Sequence, residues 1–255
     1  MKLNNLWIMK ITKLGLLLVI GFSMIACAGL PGSGSTMNWK EEVVLHDGKV
    51  LVVGRFFHLG EYPTADSHNR SQLDQTLTFT LPETNKKISW KTVYKNDVPE
   101  PNGLGPLLLD VVGGIPYLAT SPAGCIAYNK WSRPNPPYIL FKYVDDEWTR
   151  IPLAEFPAEL VRANLMSEPD SRGLKSYYTV EQVKEQMSGR NISAYAKTIL
   201  REAVNGGIKS CEELVPYGKG GWLGLDWFSD QTSYEACSKF CDKKDVNSLN
   251  CPCNK

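Results

Sequence analysis

The stretch Trp39-Lys-Glu-Glu-Val-Val-Leu-His-Asp-Gly-Lys-Val-Leu-Val-Val-Gly-Arg-Phe56 decides the fold predicted for this chain. Two runs rich in β-forming residues flank Asp47-Gly48, a pair typical of a two-residue hairpin turn. With that turn, Leu45 faces Val50 across the two strands. The predicted core face, with Glu41 and Gly54 as exceptions, carries Trp39, Val43, Leu45, Val50, Val52 and Phe56. A shift of one residue in the register would exchange the two faces, so this prediction depends on the turn.

Strand and turn signals continue outward from this hairpin as far as residue 157. The predicted strands are 77–81, 88–94, 107–112, 115–120, the short Cys125–Tyr128, 138–144 and 147–153. Turns are predicted at Gly113-Gly114 and Asp145-Asp146, where paired strands meet. We therefore expect a mainly β fold of antiparallel hairpins, sandwich-like or meander-like, with a smaller helical, disulfide-rich C-terminal part.

The pattern changes to helical signals after Pro157. Thr179-Val-Glu-Gln182 matches a helix capping box, and Thr232-Ser-Tyr-Glu235 matches another. Between them, Ser193–Val204 is predicted to form a helix that ends at Asn205-Gly206-Gly207. Residues 216–231 are rich in glycine and tryptophan and are predicted to be irregular.

Six cysteines lie in the body of the chain, at Cys125, Cys211, Cys237, Cys241, Cys251 and Cys253. An even number fits a disulfide framework in an oxidising compartment. Cys237 and Cys241 share a face of a predicted helix, and Cys251 and Cys253 share a side of an extended chain. We predict that these two pairs join each other, which leaves Cys125 to bond Cys211. The alternative is a four-cysteine zinc site, although the spacing is unusual for zinc.

The N-terminal segment predicts where the protein is located. Lysines precede an apolar run, Leu14–Ala26, that is shorter than the roughly 20 residues of a membrane-spanning helix. The run ends in Met24-Ile-Ala-Cys27, which resembles the lipobox of bacterial lipoproteins, where the cysteine is acylated and becomes the first mature residue. This resemblance implies a lipidated Cys27, and the following Ala28 implies export to the outer membrane. The alternatives are an ordinary secreted protein and an uncleaved anchor.

A wider resemblance covers residues 39–202, which look like a group of uncharacterised proteobacterial lipoproteins. The segments that carry it are Leu77-Thr-Phe-Thr-Leu-Pro82, Pro106-Leu-Leu-Leu-Asp110, Tyr128-Asn-Lys-Trp131, Arg133-Pro-Asn-Pro-Pro-Tyr138, Arg150-Ile-Pro-Leu153 and Thr198-Ile-Leu-Arg-Glu202. Because the group has no known activity, the resemblance implies a location and no mechanism. The predicted divisions are a signal peptide (1–26), a flexible tether (27–37), an antiparallel β domain (38–157), a helical extension (158–210) and a cysteine-rich tail (211–255).

Charge and motifs narrow the predicted function. The net charge is +1 with interspersed signs, which argues against a nucleic-acid partner. The chain lacks Gly-x-Ser-x-Gly, His-Glu-x-x-His, Cys-x-x-Cys and a phosphate-binding loop, so we expect no cofactor and no metal site. The sequence favours a non-catalytic binding or structural protein, held at the membrane by its lipid, whose partner is an envelope protein or a small ligand. An anchored periplasmic hydrolase and a surface-exposed inhibitor or exclusion factor are the alternatives.

A binding surface, if the chain has one, is predicted at Trp131-Ser-Arg-Pro-Asn-Pro-Pro-Tyr138. Its prolines exclude a central strand and stiffen the segment, and Trp, Tyr and Arg dominate interface hot spots. The candidate contact residues are Trp131, Arg133 and Tyr138, with Trp222 and Trp227 in the glycine-rich loop. The alternative is that these rings pack against the rim of the β core.

Overall fold

The computed structural model describes residues 35–61, 70–167, 173–188, 193–218 and 220–254 of the 255-residue chain. Its strands form two large sheets and one two-stranded ribbon. The first sheet has the order β4-β3-β2-β1-β9, with β1 Ser35–Val44, β2 Val50–Leu59, β3 Gln72–Thr80, β4 Lys87–Val93 and β9 Tyr177–Tyr178. The second sheet has the order β5-β6-β7-β8, with β5 Leu104–Val112, β6 Ile115–Pro122, β7 Ile139–Val144 and β8 Glu147–Ile151. The ribbon consists of β10 Leu214–Tyr217 and β11 Gly221–Gly224.

Short helices follow the strands of the second sheet and dominate the C-terminal part. The described α-helices are α1 Cys125–Lys130, α2 Val180–Ser188, α3 Ala194–Lys197, α4 Asp226–Ser229 and α5 Tyr234–Lys244. Single 3-10 turns occur at Leu153–Glu155 and Pro252–Asn254. No helix in the described residues combines the length and apolar character needed to cross a bilayer. The predicted mainly β class, with a smaller helical and disulfide-rich part, is confirmed.

The first hairpin has a three-residue turn, which corrects the predicted two-residue turn. The Leu45 N–H donates to the Lys49 carbonyl, and Gly48 adopts a φ of +84° inside the turn. Three-residue hairpin loops commonly need a residue in this left-handed conformation, and glycine adopts it without strain. The predicted pairing of Leu45 with Val50 is therefore wrong by one residue.

This shift exchanges the two faces of β2, as expected for a period of two. The predicted face of β1 is buried, but on β2 the predicted Val50 and Val52 are 51% and 43% exposed. Phe56 is only half-buried and lies on the same outer face. The buried side chains of β2 are instead Leu51, Val53, Arg55 and Phe57.

The main core lies between the two sheets, which makes the fold a β-sandwich. Each sheet contributes alternate side chains, as the pleat requires. The shared core consists of Val43, Leu45, Leu51, Val53, Leu77, Phe79, Leu81, Ile88 and Trp90 from the first sheet and its turns, Leu104, Leu109, Leu118 and Ile139 from the second sheet, and Leu165. Hairpins form at Gly113-Gly114 and Asp145-Asp146, where they are predicted.

The chain after β8 covers the outer face of the second sheet. Phe156, Leu160 and Ile199 pack with residues of β5, β6, β7 and β8 in a second core. The predicted helix Ser193–Val204 shrinks to α3 because its second half is extended. There Thr198 bridges Arg162, and the Ile199 N–H donates to the Val161 carbonyl. In the part that the structure describes, the predicted helical extension (158–210) is therefore mostly non-helical, and it packs over the second sheet.

A third core forms where β9 adds to β1 in parallel. Tyr178 and Val183 pack there with Met37, Trp39 and Phe57. The helix α2 that follows begins with the predicted capping box, because the Gln182 side chain accepts from the Thr179 N–H at 3.1 Å. Strand β1 begins at Ser35, so the predicted tether extends too far at its C-terminal end. The signal peptide and Cys27 lie outside the described residues.

The C-terminal residues form a small lobe held by disulfides. Cys125 bonds Cys211, Cys237 bonds Cys253, and Cys241 bonds Cys251, which matches the predicted joining of pairs. Helix α5 is capped by Ser233, one residue after the predicted Thr232.

Two predictions for this region are wrong. Cys125–Tyr128 is helical rather than a strand, because Gly124 has a φ of +122° and turns the chain out of β6. Residues 216–231 contain ordered elements, namely the end of β10, all of β11 and helix α4. Their glycines reflect close packing, since a Cβ on Gly220 would lie 2.6 Å from the Cα of Asp97.

Candidate ligand-binding cleft

The two sheets meet at a seam where the edge of β1 approaches the edge strand β5. On this side β9 pairs with β1 at Lys40 and Glu41, and no other strand of the described residues pairs with β1 further along this edge. The side chain of Asn164 fills the gap: its Nδ2 donates to the carbonyls of Val44 and Leu109 at 3.0 and 2.9 Å. Its Oδ1 accepts from the Leu109 N–H at 2.9 Å. One amide thereby satisfies backbone groups that an open edge would leave unpaired.

A histidine–carboxylate pair lies at the same seam. Asp110, on β5, has a side chain only 4% exposed, and its Oδ2 accepts from the His46 N–H at 2.8 Å. Its Oδ1 lies 2.7 Å from Nδ1 of His46. This hydrogen bond raises the pKa of His46 above its ordinary value, and the nearby carboxylates of Asp110, Asp47 and Glu159 act in the same direction. The His46 side chain is 29% exposed, and its Nε2 has no hydrogen-bond partner among the described residues.

A cleft of about 590 Å³ opens beside this pair. We call it the seam cleft. Its walls come from the end of β1, from β5, from the segment 159–164 and from helix α2. The lining side chains are Glu42, Val44, Leu45, His46, Leu108, Asp110, Glu159, Leu160, Val161, Arg162, Ala163, Asn164, Val180, Val183, Lys184 and Met187. His46 also lines a neighbouring cavity of about 490 Å³ on the side of the β5–β6 turn.

Some charged groups of the seam cleft have partners within the protein, whereas others have none among the described residues. Glu42 accepts from the Tyr177 hydroxyl at 2.8 Å and from the Val180 N–H at 2.9 Å, and Asp110 is held by His46. Arg162 and Lys184, in contrast, are exposed and form no ion pair within the described residues. Glu42 and Asp110 are thus engaged by the protein, whereas Glu159 is exposed and forms no ion pair within the described residues. The charges that remain available to a ligand are therefore one carboxylate, two cations and the free nitrogen of His46.

The predicted contact residues Arg133 and Tyr138 turn out to have structural roles. Tyr138 is buried, and its hydroxyl lies 2.8 Å from the Tyr195 carbonyl and accepts from the Leu200 N–H at 3.1 Å. Burial raises the pKa of Tyr138. The guanidinium of Arg133 donates to the carbonyl of Cys211 at 2.8 Å and therefore ties the C-terminal lobe to the sandwich. Both side chains therefore bond the protein itself, which favours the alternative that this segment packs against the rim of the core; the predicted contact with a partner stays a prediction.

The three candidate tryptophans differ in exposure. Trp131 is half-buried and donates to the Asn102 carbonyl at 2.9 Å. Trp222 is also half-buried and donates to the Asn96 carbonyl at 2.7 Å. Trp227 is 53% exposed on helix α4. Trp131 and Trp222 thus both contact the segment 95–102, and the ammonium of Lys130 lies 5.8 Å from the ring centre of Trp222. A cavity of about 420 Å³ beside Pro134–Tyr138 is lined in part by Arg150.

A buried ion pair is the main polar feature that the sequence prediction missed. Glu41 and Arg55 are both almost fully buried, with Oε1 of Glu41 and NH1 of Arg55 2.6 Å apart. Glu41 Oε2 accepts from the Met166 N–H at 3.0 Å, and burial raises the pKa of Glu41 despite the arginine. The guanidinium lies 5.2 Å from the ring centre of Trp39. The prediction missed this pair because its two-residue turn placed Arg55 on the face opposite Glu41, whereas the three-residue turn places both side chains on the same face.

The chain matches none of the protein families, curated proteins or solved structures with which it was compared. Its function is therefore argued from the site alone.

Proposed function

We propose that this chain is a lipid-anchored protein of the bacterial cell envelope that binds a small amphipathic anion in the seam cleft. The observation that carries the proposal is the cleft itself, whose volume of about 590 Å³ falls within the range of small-molecule sites. Nine of its sixteen lining residues are apolar, and the other seven are polar or charged, among them the His46–Asp110 pair. Such a site suits a ligand with an apolar body and one charged end.

The sign of the ligand follows from the unsatisfied charges. Glu42 and Asp110 already accept hydrogen bonds from the protein, so they offer little to a cationic ligand. Glu159 is then the one open carboxylate of the cleft, and it is outnumbered by two open cations. Arg162 and Lys184 offer free donors, and the raised pKa of His46 makes its Nε2 a donor over more of the neutral pH range. An anionic head group, such as a carboxylate, satisfies these donors and adds charge-assisted hydrogen bonds.

The anchor in this proposal rests on the sequence of the first 28 residues. A lipobox cysteine carries several acyl chains, and each buried methylene contributes about 0.8 kcal/mol to membrane attachment. An anchor of this kind leaves the sandwich free to present the seam cleft without a membrane-binding surface of its own.

A second candidate function is hydrolysis, and one observation favours it. Asp110 fixes the Nδ1 side of His46 and leaves Nε2 open, which is the arrangement of a general base. The described residues that line the seam cleft include no serine, threonine or cysteine to act as a nucleophile. His46 would therefore have to activate water directly, without a second catalytic group in place. The geometry supports binding better.

The test is a titration of octanoate into the full chain in nanodiscs of neutral phosphatidylcholine. We expect saturable one-to-one binding after subtraction of empty discs. Reversal of both cations, Arg162→Glu with Lys184→Glu, should weaken octanoate binding at least about tenfold, equivalent to about 1.4 kcal/mol. The matched control reverses two exposed lysines outside the cleft, Lys87→Glu with Lys209→Glu, and should leave binding unchanged.

Two outcomes of this titration would contradict the proposal. If octyltrimethylammonium binds as well as octanoate, or if both double variants behave alike, the assignment of an anionic ligand to the seam cleft is wrong. His46→Gln addresses the second candidate, because a hydrolase would lose turnover altogether, whereas a binding protein would lose only the contribution of His46 to octanoate affinity.

A further inference from the structure

The four cysteines of the C-terminal lobe form two disulfide bonds that lie next to each other. Cys237 and Cys241 project from successive turns of helix α5, and Cys251 and Cys253 lie at the start of the last 3-10 turn. Besides the two disulfide bonds, the sulfur of Cys253 lies 3.6 Å from that of Cys241 and 3.3 Å from that of Cys251. The sulfurs of Cys241, Cys251 and Cys253 all lie within 4.8 Å of one another.

These distances are close to those of a four-thiolate zinc site. Zinc binds cysteine sulfur at about 2.3 Å in tetrahedral geometry, which separates neighbouring sulfurs by about 3.8 Å. The two contacts between the disulfides are already near that value. To form the site, the two bonded sulfur pairs would move apart and Cys237, which lies outside the group of three, would move toward it. Each bonded pair has one member in the short C-terminal segment that contains Cys251 and Cys253, so that segment can supply the movement.

The C-terminal lobe also needs covalent or metal cross-links to be stable. Its core consists of few side chains, with Val215, Phe228 and Val246 packed around Cys237 and Cys241. A core of this size supplies little stability, and small units of this kind depend on disulfides or a structural metal. Cys237 and Cys241 are buried, whereas Cys251 and Cys253 are half-exposed, so a reductant or a metal ion can reach the cluster from one side.

We propose that these four cysteines form an interchangeable clamp, with two disulfides in the oxidised protein and one tetrahedral zinc–thiolate site after reduction. Each disulfide takes two electrons and two protons from a dithiol reductant, which itself becomes a disulfide. Zinc then binds the four sulfurs and displaces their four protons. Cys125 and Cys211 lie outside the cluster and take no part. The proposal is independent of the ligand assigned to the seam cleft.

The test uses the full chain with Cys27→Ser, purified in detergent and reduced with a phosphine. Addition of Co²⁺ should give the intense visible bands of tetrahedral cobalt and the near-ultraviolet charge-transfer band of bound thiolates, at one ion per chain. Zinc should then displace the cobalt and raise the melting temperature of the reduced protein. The oxidised protein should give no bands, because disulfide sulfurs are not thiolate ligands.

Two variants locate the site. Cys251→Ser with Cys253→Ser should abolish the cobalt bands, whereas Cys125→Ser with Cys211→Ser should retain them. Alkylation checks the same point in the parent protein, since zinc should shield the four clustered thiols and leave Cys125 and Cys211 reactive. The proposal is overturned if the reduced parent protein gives no cobalt bands, or if the Cys251 and Cys253 variant gives the same bands.

Discussion

Replacement of Phe57 by alanine tests the register on which the sandwich depends. Phe57 is 1% exposed, and its ring stacks on Trp39 with centroids 5.4 Å apart. Loss of a fully buried phenylalanine ring costs about 3–5 kcal/mol. Aromatic pairs add about 0.5–1.5 kcal/mol beyond their buried area, which places Phe57→Ala in the upper part of that range. We therefore expect a loss of about 4–5 kcal/mol in the free energy of unfolding.

Phe56→Ala is the matched control, because it removes the same ring from the next position of the same strand. Phe56 is half-buried on the outer face, where its ring meets His58 edge-on at 4.8 Å. Half of the transfer free energy of such a side chain is about 1–1.5 kcal/mol. The two substitutions should thus differ by about 3 kcal/mol.

The assay is equilibrium unfolding in guanidinium chloride with the disulfides oxidised, followed by tryptophan fluorescence. Equal denaturant slopes for both variants are needed for the comparison, because a changed slope indicates a changed unfolded or native state. A loss for Phe56→Ala equal to or above that for Phe57→Ala would refute the three-residue turn. The burial of Arg55 beside Glu41 would then be wrong as well.

Further predictions concern the anchor, the long-range disulfide and the pH dependence. A clickable palmitate should label the wild-type chain in bacterial cells and should not label Cys27→Ser. Equal labelling of the two would contradict the lipidation of Cys27. Cys125→Ser with Cys211→Ser opens a bridge of sequence separation 86 and should lower the free energy of unfolding by about 4–5 kcal/mol in the chain-entropy model, whereas free thiols at both positions in exported protein would contradict the bridge. Asp110 raises the pKa of His46, so this stabilisation is fully present below the unfolded value of about 6.5 and is lost as the pH rises through the folded value. The stability advantage of the wild type over His46→Gln should therefore shrink as the pH rises above the unfolded value of about 6.5, and a constant advantage would show that the charge of His46 is not involved.

The strand hairpins were predictable because their signals are local. Strand-forming runs lie on both sides of Gly113-Gly114 and of Asp145-Asp146. These turn residues adopt the positive φ that two-residue hairpin turns require. Asp47-Gly48 gives the same signal, yet the turn there takes in His46 as a third residue. One extra residue exchanges the faces of a strand, so β1 was predicted correctly and β2 was not. The sequence alone did not separate the two turn lengths, because both place Gly48 at a positive φ.

The joining of the two cysteine pairs was predictable for a related reason, but the sequence did not decide that Cys237 bonds Cys253 and Cys241 bonds Cys251. A helix fixes the spacing of Cys237 and Cys241, and a short extended segment fixes that of Cys251 and Cys253, so local geometry restricts the pairing. The extended segment around Thr198 was not predictable in this way. Its residues favour a helix locally, but pairing with the chain at Arg162 holds them extended. Tertiary contacts of this kind override local propensity.

The seam cleft could not be predicted, because its walls come from four separate parts of the sequence. No motif marks Asn164 or Glu159, and the predicted binding residues were chosen by residue type, which does not distinguish a packed ring from an offered one. Tyr138 shows the difference. Tyrosine is a residue type common in interface hot spots, but the hydroxyl of Tyr138 already forms hydrogen bonds with backbone groups of the covering segment.

The polar residues of the seam cleft separate into two groups by what they already bind. Asn164 and Asp110 satisfy the backbone at the open edges of β1 and β5, so their loss would disturb the seam whether or not a ligand exists. Arg162 and Lys184 bond no described side chain, so their loss should leave the fold intact. A test of binding must therefore change this second pair. Variants at Asn164 or Asp110 would lose ligand and stability together and could not distinguish a binding site from a structural clamp.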